Sequence, residues 1–277
     1  MAQRWKTKYT PFVVVSTVVL LIIMLFPFAV MLATMIKSSA EVYASPRWLA
    51  IDPTFSNMIR VWDEYRLAGF FVSSAVIAFG TLVANVVLCI PAAYAVARLR
   101  FPGRQFSLYF FLSIQMFSPV IVVISLFRIF VQMGLINTYF AVILANTVFT
   151  MSFTIWMMTG YFRAIPIAIE ECARVDGASR LTTIVRIMLP IAAPGLVTAM
   201  TYTFIWSWNE FLFPLTLLRS QARFPITVGL YNFVGRFQTQ WELLTAAAFY
   251  AIIPILILFF LIEKRLVQGL AAGAVKS

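Results

Sequence analysis

Charge is confined to short segments of this chain, and between them run long stretches with few polar side chains. Such a pattern predicts membrane-crossing helices, because about 20 consecutive apolar residues in helical form span the hydrocarbon layer of a bilayer. Six runs are long enough: about 11–36, 68–97, 106–131, 139–162, 190–216 and 243–262. The first is too long for the apolar region of a signal peptide and lacks its small-residue exit, so it reads as a span. Turn formers at Gln132-Met-Gly-Leu-Ile-Asn-Thr138 part the third run from the fourth. Pro91 and Pro119 lie inside runs and are the expected kink positions. The organisation is therefore an all-α membrane protein: an N-terminal segment 1–10, one transmembrane domain 11–262 and a tail 263–277.

Composition supports this reading. Of 277 residues, 62% are hydrophobic and 11% charged, and the mean hydropathy is +0.93. So few charges cannot cover a water-soluble domain, which carries roughly a quarter charged residues. The net charge of +11 raises nucleic acid as a partner, but the basic residues sit between apolar runs and form no patch with polar readout groups. They orient the chain instead. With the N-terminus cytoplasmic, 13 of the 21 Lys and Arg fall on the inner side and 8 on the outer, so both termini are expected inside. Histidine is absent, which removes His-based metal sites, triads and proton relays. Cys89 and Cys172 have no metal-ligand spacing. The outer segments, about 37–66 and 219–241, mix Trp and Tyr with charges of both signs. They serve either as interfacial anchors or as a docking surface for an extracytoplasmic partner.

The stretch 163–189 is the most informative. Pro166 is placed to open a short amphipathic helix, with Glu170 and Glu171 near its positive end. Asp176-Gly177 breaks it, and Ser179 or Asp176 caps a second helix. Pro190 and Pro194 then redirect the chain into the fifth span. Small residues (Ala168, Cys172, Ala173) permit close approach, and two carboxylates offer charge-assisted contacts. Two such carboxylates fit a cytoplasmic protein partner better than an anionic lipid surface.

Two energy sources can be weighed. None of the 11 glycines is followed by Lys, so a phosphate-cradling loop is missing and ATP must be hydrolysed elsewhere. Ion coupling, the alternative, needs ionisable residues within the bilayer, and only Arg128 and Glu210 come near. For a polar solute, the candidate contacts within the spans are Asn85, Gln115, Ser118, Asn146, Trp206, Trp208 and Asn209. Amides bond hydroxyls, and an indole face covers a pyranose. The same residues also serve as interhelical glue.

Glu171-Cys172-Ala173, three residues, Gly177, nine residues, then Ile187-Met188-Leu189-Pro190 resembles the EAA signature of bacterial ABC importer permeases, with Cys172 replacing one Ala. The flanking Gly134-Leu-Ile-Asn-Thr, Asp176-Gly-Ala-Ser, Trp208-Asn-Glu-Phe and Gly269-Leu-Ala-Ala-Gly-Ala-Val-Lys276 are similar to the maltose-type carbohydrate branch. The resemblance implies a MetI-like permease fold in a bacterial inner membrane. Its implied partners are a second paralogous permease, two ATPase subunits, an extracytoplasmic binding protein and a carbohydrate-like solute, besides membrane lipid. It implies no cofactor or metal on this chain and no catalysis by it, ATP and Mg being bound by the ATPase subunits. It assigns coupling to the ATPase to Glu171, Ala173 and Gly177, with Glu170, Asp176, Leu189 and Pro190 beside them. It assigns a tail contact with the ATPase to Gly269, Gly273 and Lys276.

Overall fold

A computed structural model describes residues 10–44, 47–235 and 238–274, with side chains for 11–44, 47–235 and 238–263. The described residues form helices and the turns between them, with one isolated β-bridge, Val234 to Thr239. They divide into two compact units.

One unit comprises residues 1–67 and 232–252. It contains α1 (Thr10–Met35), α2 (Ser39–Ala44) and α3 (Ser56–Asp63). The most apolar window of α1 contains no buried residue, which leaves most of that stretch for lipid or another chain. Polar bonds fix the chain after α1: Asn57 Nδ2 donates to the carbonyls of Met35 (2.9 Å) and Lys37 (2.7 Å). Ser39 Oγ donates to Glu242 Oε1 at 2.6 Å, and Trp62 lies against Tyr250.

The other unit comprises residues 68–231 and 253–277. Its helices are α4 (Leu67–Arg98), α5 (Arg104–Ile114), α6 (Pro119–Gln132), α7 (Tyr139–Ala164), α8 (Ile167–Val175), α9 (Arg180–Ile191), α10 (Ala193–Asn209), α11 (Leu212–Leu217) and α12 (Ile226–Tyr231). The last helix, α13 (Trp241–Ala274), begins in the first unit and ends in this one. In its most apolar window α7 is 56% buried, against 33% for α4, so α7 forms the centre on which α5, α10 and α11 pack.

Four expected spans coincide with single helices long and apolar enough to cross a membrane: α1, α4, α7 and α13, the last over Trp241–Glu263. The other two are broken. Residues 106–131, expected as one helix, form α5 and α6 with a bend of 100° between them. Proline at the first position of α6 has no N–H to continue a ladder, and Ser118 before it is extended (φ −64°, ψ 129°). Residues 190–216, also expected as one span, divide likewise. α9 and α10 meet at 88° around Ala192, α10 ends at Asn209, and Glu210 is extended (ψ 129°). Pro91, by contrast, sits inside an unbroken α4.

Candidate functional site

α8, the turn after it and α9 make the helix-turn-helix expected over 163–189. Its turn closes in a way that accounts for the spacing of the motif. Gly177 has φ +78°, and two bonds end α8: Ala178 N to Ala173 O at 2.9 Å and Gly177 N to Arg174 O at 3.1 Å. These are the two bonds of a Schellman cap, with glycine at the left-handed position. Ala173 and Gly177 are thus four residues apart because one supplies the accepting carbonyl and the other the reversal. Ser179 caps α9, its Oγ accepting from Thr182 N at 3.2 Å. Within α9 a widened π turn covers Thr183–Met188. It precedes Pro190, which has no N–H for the Arg186 carbonyl. Leu189 is partly buried and Pro190 exposed.

The two carboxylates face opposite ways. Glu171, Cys172, Asp176 and Gly177 are exposed, and Val175, Leu181 and Val185 stand out with them. Glu170 was expected as a second docking carboxylate, but it is 4% exposed and lies on the same side of α8 as buried Ala173. It forms an ion pair with Arg98, the last residue of α4, and accepts from Tyr94 Oη at 3.0 Å. Arg98 also donates through Nη2 to the carbonyl of Ile165, at the junction of α7 and α8. A charge buried this deeply is held by its partners, since a lone one costs several kcal/mol. Sequence reasoning counted Arg98 only as an orienting charge and missed Tyr94. Neither position is near Glu170 in the chain, so no local signal pointed to them.

The candidates for the solute path do not converge. Asn85 is fully buried and donates to Thr150 Oγ1 at 2.9 Å and to the Thr81 carbonyl at 3.1 Å. Asn146, also fully buried, donates to Ser207 Oγ at 2.9 Å, and Ser207 donates on to Thr81 at 3.2 Å. Both asparagines therefore join α4, α7 and α10. Trp206 stacks on Phe149 with centroids 6.3 Å apart. Trp208 faces elsewhere, against Phe71 and Phe204, where it lines an apolar groove of about 660 Å³ with residues of α4 and α13. Asn209 is exposed and bonds its own helix through Ile205 O at 2.9 Å. Gln115 and Ser118 are exposed at the break between α5 and α6. Glu210 Oε1 accepts from Leu212 N (2.8 Å) and Phe213 N (3.1 Å), capping α11. Gly269 and Gly273 lie in the final turns of α13, and Lys276 is outside the described residues.

Residues 89–271 match the family described as the inner membrane component of binding-protein-dependent transport systems. The chain belongs to that family. It is 35% identical over 259 residues to the inner membrane ABC transporter permease protein YcjP of Escherichia coli, covering 92% of each chain. It is 32% identical to the trehalose/maltose transport system permease protein MalG of Thermococcus litoralis, over 95% of each. A bacterial ABC transporter involved in the import of the acidic polysaccharide alginate contains a chain of the same fold. Its TM-score is 0.81 at 22% identity, with 95% of this chain and 99% of that one covered. The protein is thus a multi-pass membrane permease of the MetI-like fold, a non-catalytic subunit whose ATP hydrolysis is carried out by separate subunits. Family membership sets aside the ion-coupled carrier. In this permease the outward residues of α8 and its turn are exposed on the surface of their unit.

Proposed function

We propose that this permease pairs with a paralogous permease in a bacterial inner membrane and passes a carbohydrate or related polar solute inward. Two ATPase subunits, which bind ATP and Mg, dock on α8 and its turn, and an extracytoplasmic binding protein delivers the solute. The observation that supports this most is the two-sided build of α8. Its inner side is tied to α4 and α7, while Glu171, Val175 and the Gly177 turn are presented outward. A helix resting on lipid has no use for an outward carboxylate held so firmly. The relative named for trehalose and maltose supports the solute class.

The test is reconstitution. Tagged permease extracted in mild detergent should bring down an ATPase subunit and a second permease. The complete complex should take up radiolabelled trehalose or maltose into vesicles only with ATP and binding protein. Uptake by the isolated chain in an ion gradient, or purification with no ATPase subunit, overturns the importer reading. Uptake of a different solute class by the intact complex overturns only the carbohydrate assignment.

A further inference from the structure

α8 has two covalent connections to the rest of its unit, and neither is a continuous helix. On one side stands Ile165-Pro166, with Ile165 extended (φ −76°, ψ 129°) between α7 and α8. On the other is the left-handed Gly177 turn, leading to a helix that contains a π turn. With the helical ladder interrupted at both ends, side-chain bonds carry the direct connection from α8 to α4. The Arg98–Glu170 pair lies on its inner face, with side chains 10% and 6% exposed. Among the described residues it is the one ion pair that is buried; Arg60–Glu64 is exposed. Arg98 grips α8 through Glu170 and the α7–α8 junction through the Ile165 carbonyl, while Tyr94, one turn earlier on α4, holds the second oxygen of Glu170. From Arg98, α4 continues without a break to the buried bonds Asn85–Thr150 and Ser207–Thr81, which reach α7 and α10. Asn85 lies 13 residues from Arg98, about 20 Å along the helix.

We infer that Arg98, Tyr94 and Glu170 form a joint that makes α8 and α4 move as one body. Displacement of the docking helix by the ATPase then reaches the middle of the spans directly through α4. All three are positioning residues. The inference rests on the proposed docking of α8 and adds the route by which its motion travels.

The test uses the complete complex in vesicles, with trehalose as the probe, and reads sugar moved per ATP hydrolysed. Wild-type uptake in the same vesicles checks the importer reading by itself. The informative variant is the neutral pair Arg98→Met with Glu170→Gln, which removes both charges, leaves neither unpaired and keeps the side-chain volumes. A joint predicts normal assembly with the ATPase and near-normal basal hydrolysis, but at least a tenfold fall in sugar per ATP. Tyr94→Phe, which leaves the ion pair intact, should give a fall of a few fold in the same ratio with assembly unchanged. Replacing the pair by Arg98→Cys with Glu170→Cys and bridging the thiols with a bifunctional reagent should restore the ratio that the unbridged form loses. Wild-type sugar per ATP in both the neutral-pair and Tyr94→Phe variants overturns the joint, as does a bridge that leaves the ratio low.

Discussion

At the scale of single residues, function depends on which way neighbouring side chains point. Glu171 is exposed, so Glu171→Ala should leave the level of inserted permease unchanged. In a complex it should remove a charge-assisted contact worth about 1.5–3 kcal/mol, roughly a ten- to hundredfold loss of ATPase-subunit affinity. Titrating purified ATPase subunit onto the permease measures this directly, and unchanged affinity rejects docking through Glu171. Gly177 provides a cleaner backbone test. A Cβ there meets nothing within 4 Å, yet φ is +78°, so any penalty comes from conformation alone. Gly177→Val should distort the Schellman cap at about 1–2 kcal/mol or more and abolish uptake. Gly177→Asn, a residue that enters the left-handed region more readily, should retain a large part of it. Equal uptake in the two variants would show that the turn geometry is irrelevant to transport.

At the scale of elements, the broken third span has the clearest consequence. Irregular backbone within a bilayer is tolerated only where it is buried in protein or lines a water-filled space. The Gln115–Ser118 break is exposed in this chain and so belongs against a partner or an aqueous path. In a Cys172→Ser background, Gln115→Cys should react quickly with a water-soluble thiol reagent. Ile124→Cys, 62% exposed on α6, should react slowly because that face meets lipid. Similar rates at both positions would remove Gln115 from the path. Prolines show why a kink was readable at Pro119 but its growth into a full break was not. Pro27, Pro91 and Pro254 lie inside continuous helices, whereas Pro119 and Pro194 stand just after bends. Each of the five lacks the same N–H. Whether a helix bends there depends on which neighbouring helices take up the freed carbonyls.

At the scale of the molecule, the charge tally makes a prediction that any fusion series can check. Reporters joined after Arg104 or Lys264 should read cytoplasmic, and reporters at Trp48 or Arg219 should read external. An external reading at Lys264 would put the α8 turn on the wrong side for a cytoplasmic ATPase. The absence of buried residues from the most apolar window of α1 belongs to the same scale, since so apolar a stretch is completed by lipid or by another chain.

Some of this was written in the linear order of residues. Membrane residence and the long spans follow from charge-free runs, because hydrocarbon excludes charge regardless of what packs nearby. The turn at Gly177 was legible too, since a helix cap is made within six residues and needs only a glycine where φ turns positive. The assignments that required side chains to meet across the fold were not legible. Glu170 and Glu171 are adjacent and chemically identical, and only Arg98 and Tyr94, brought up by α4, turn one inward and leave the other free. Asn85 and Asn146 read as solute contacts or, more readily, as glue until α7 placed Thr150 beside the first and α10 placed Ser207 beside the second. Local geometry and transfer from water are properties of a few consecutive residues. The partner of a buried polar group is set by packing between segments distant in the chain, and that was decided only in the folded molecule.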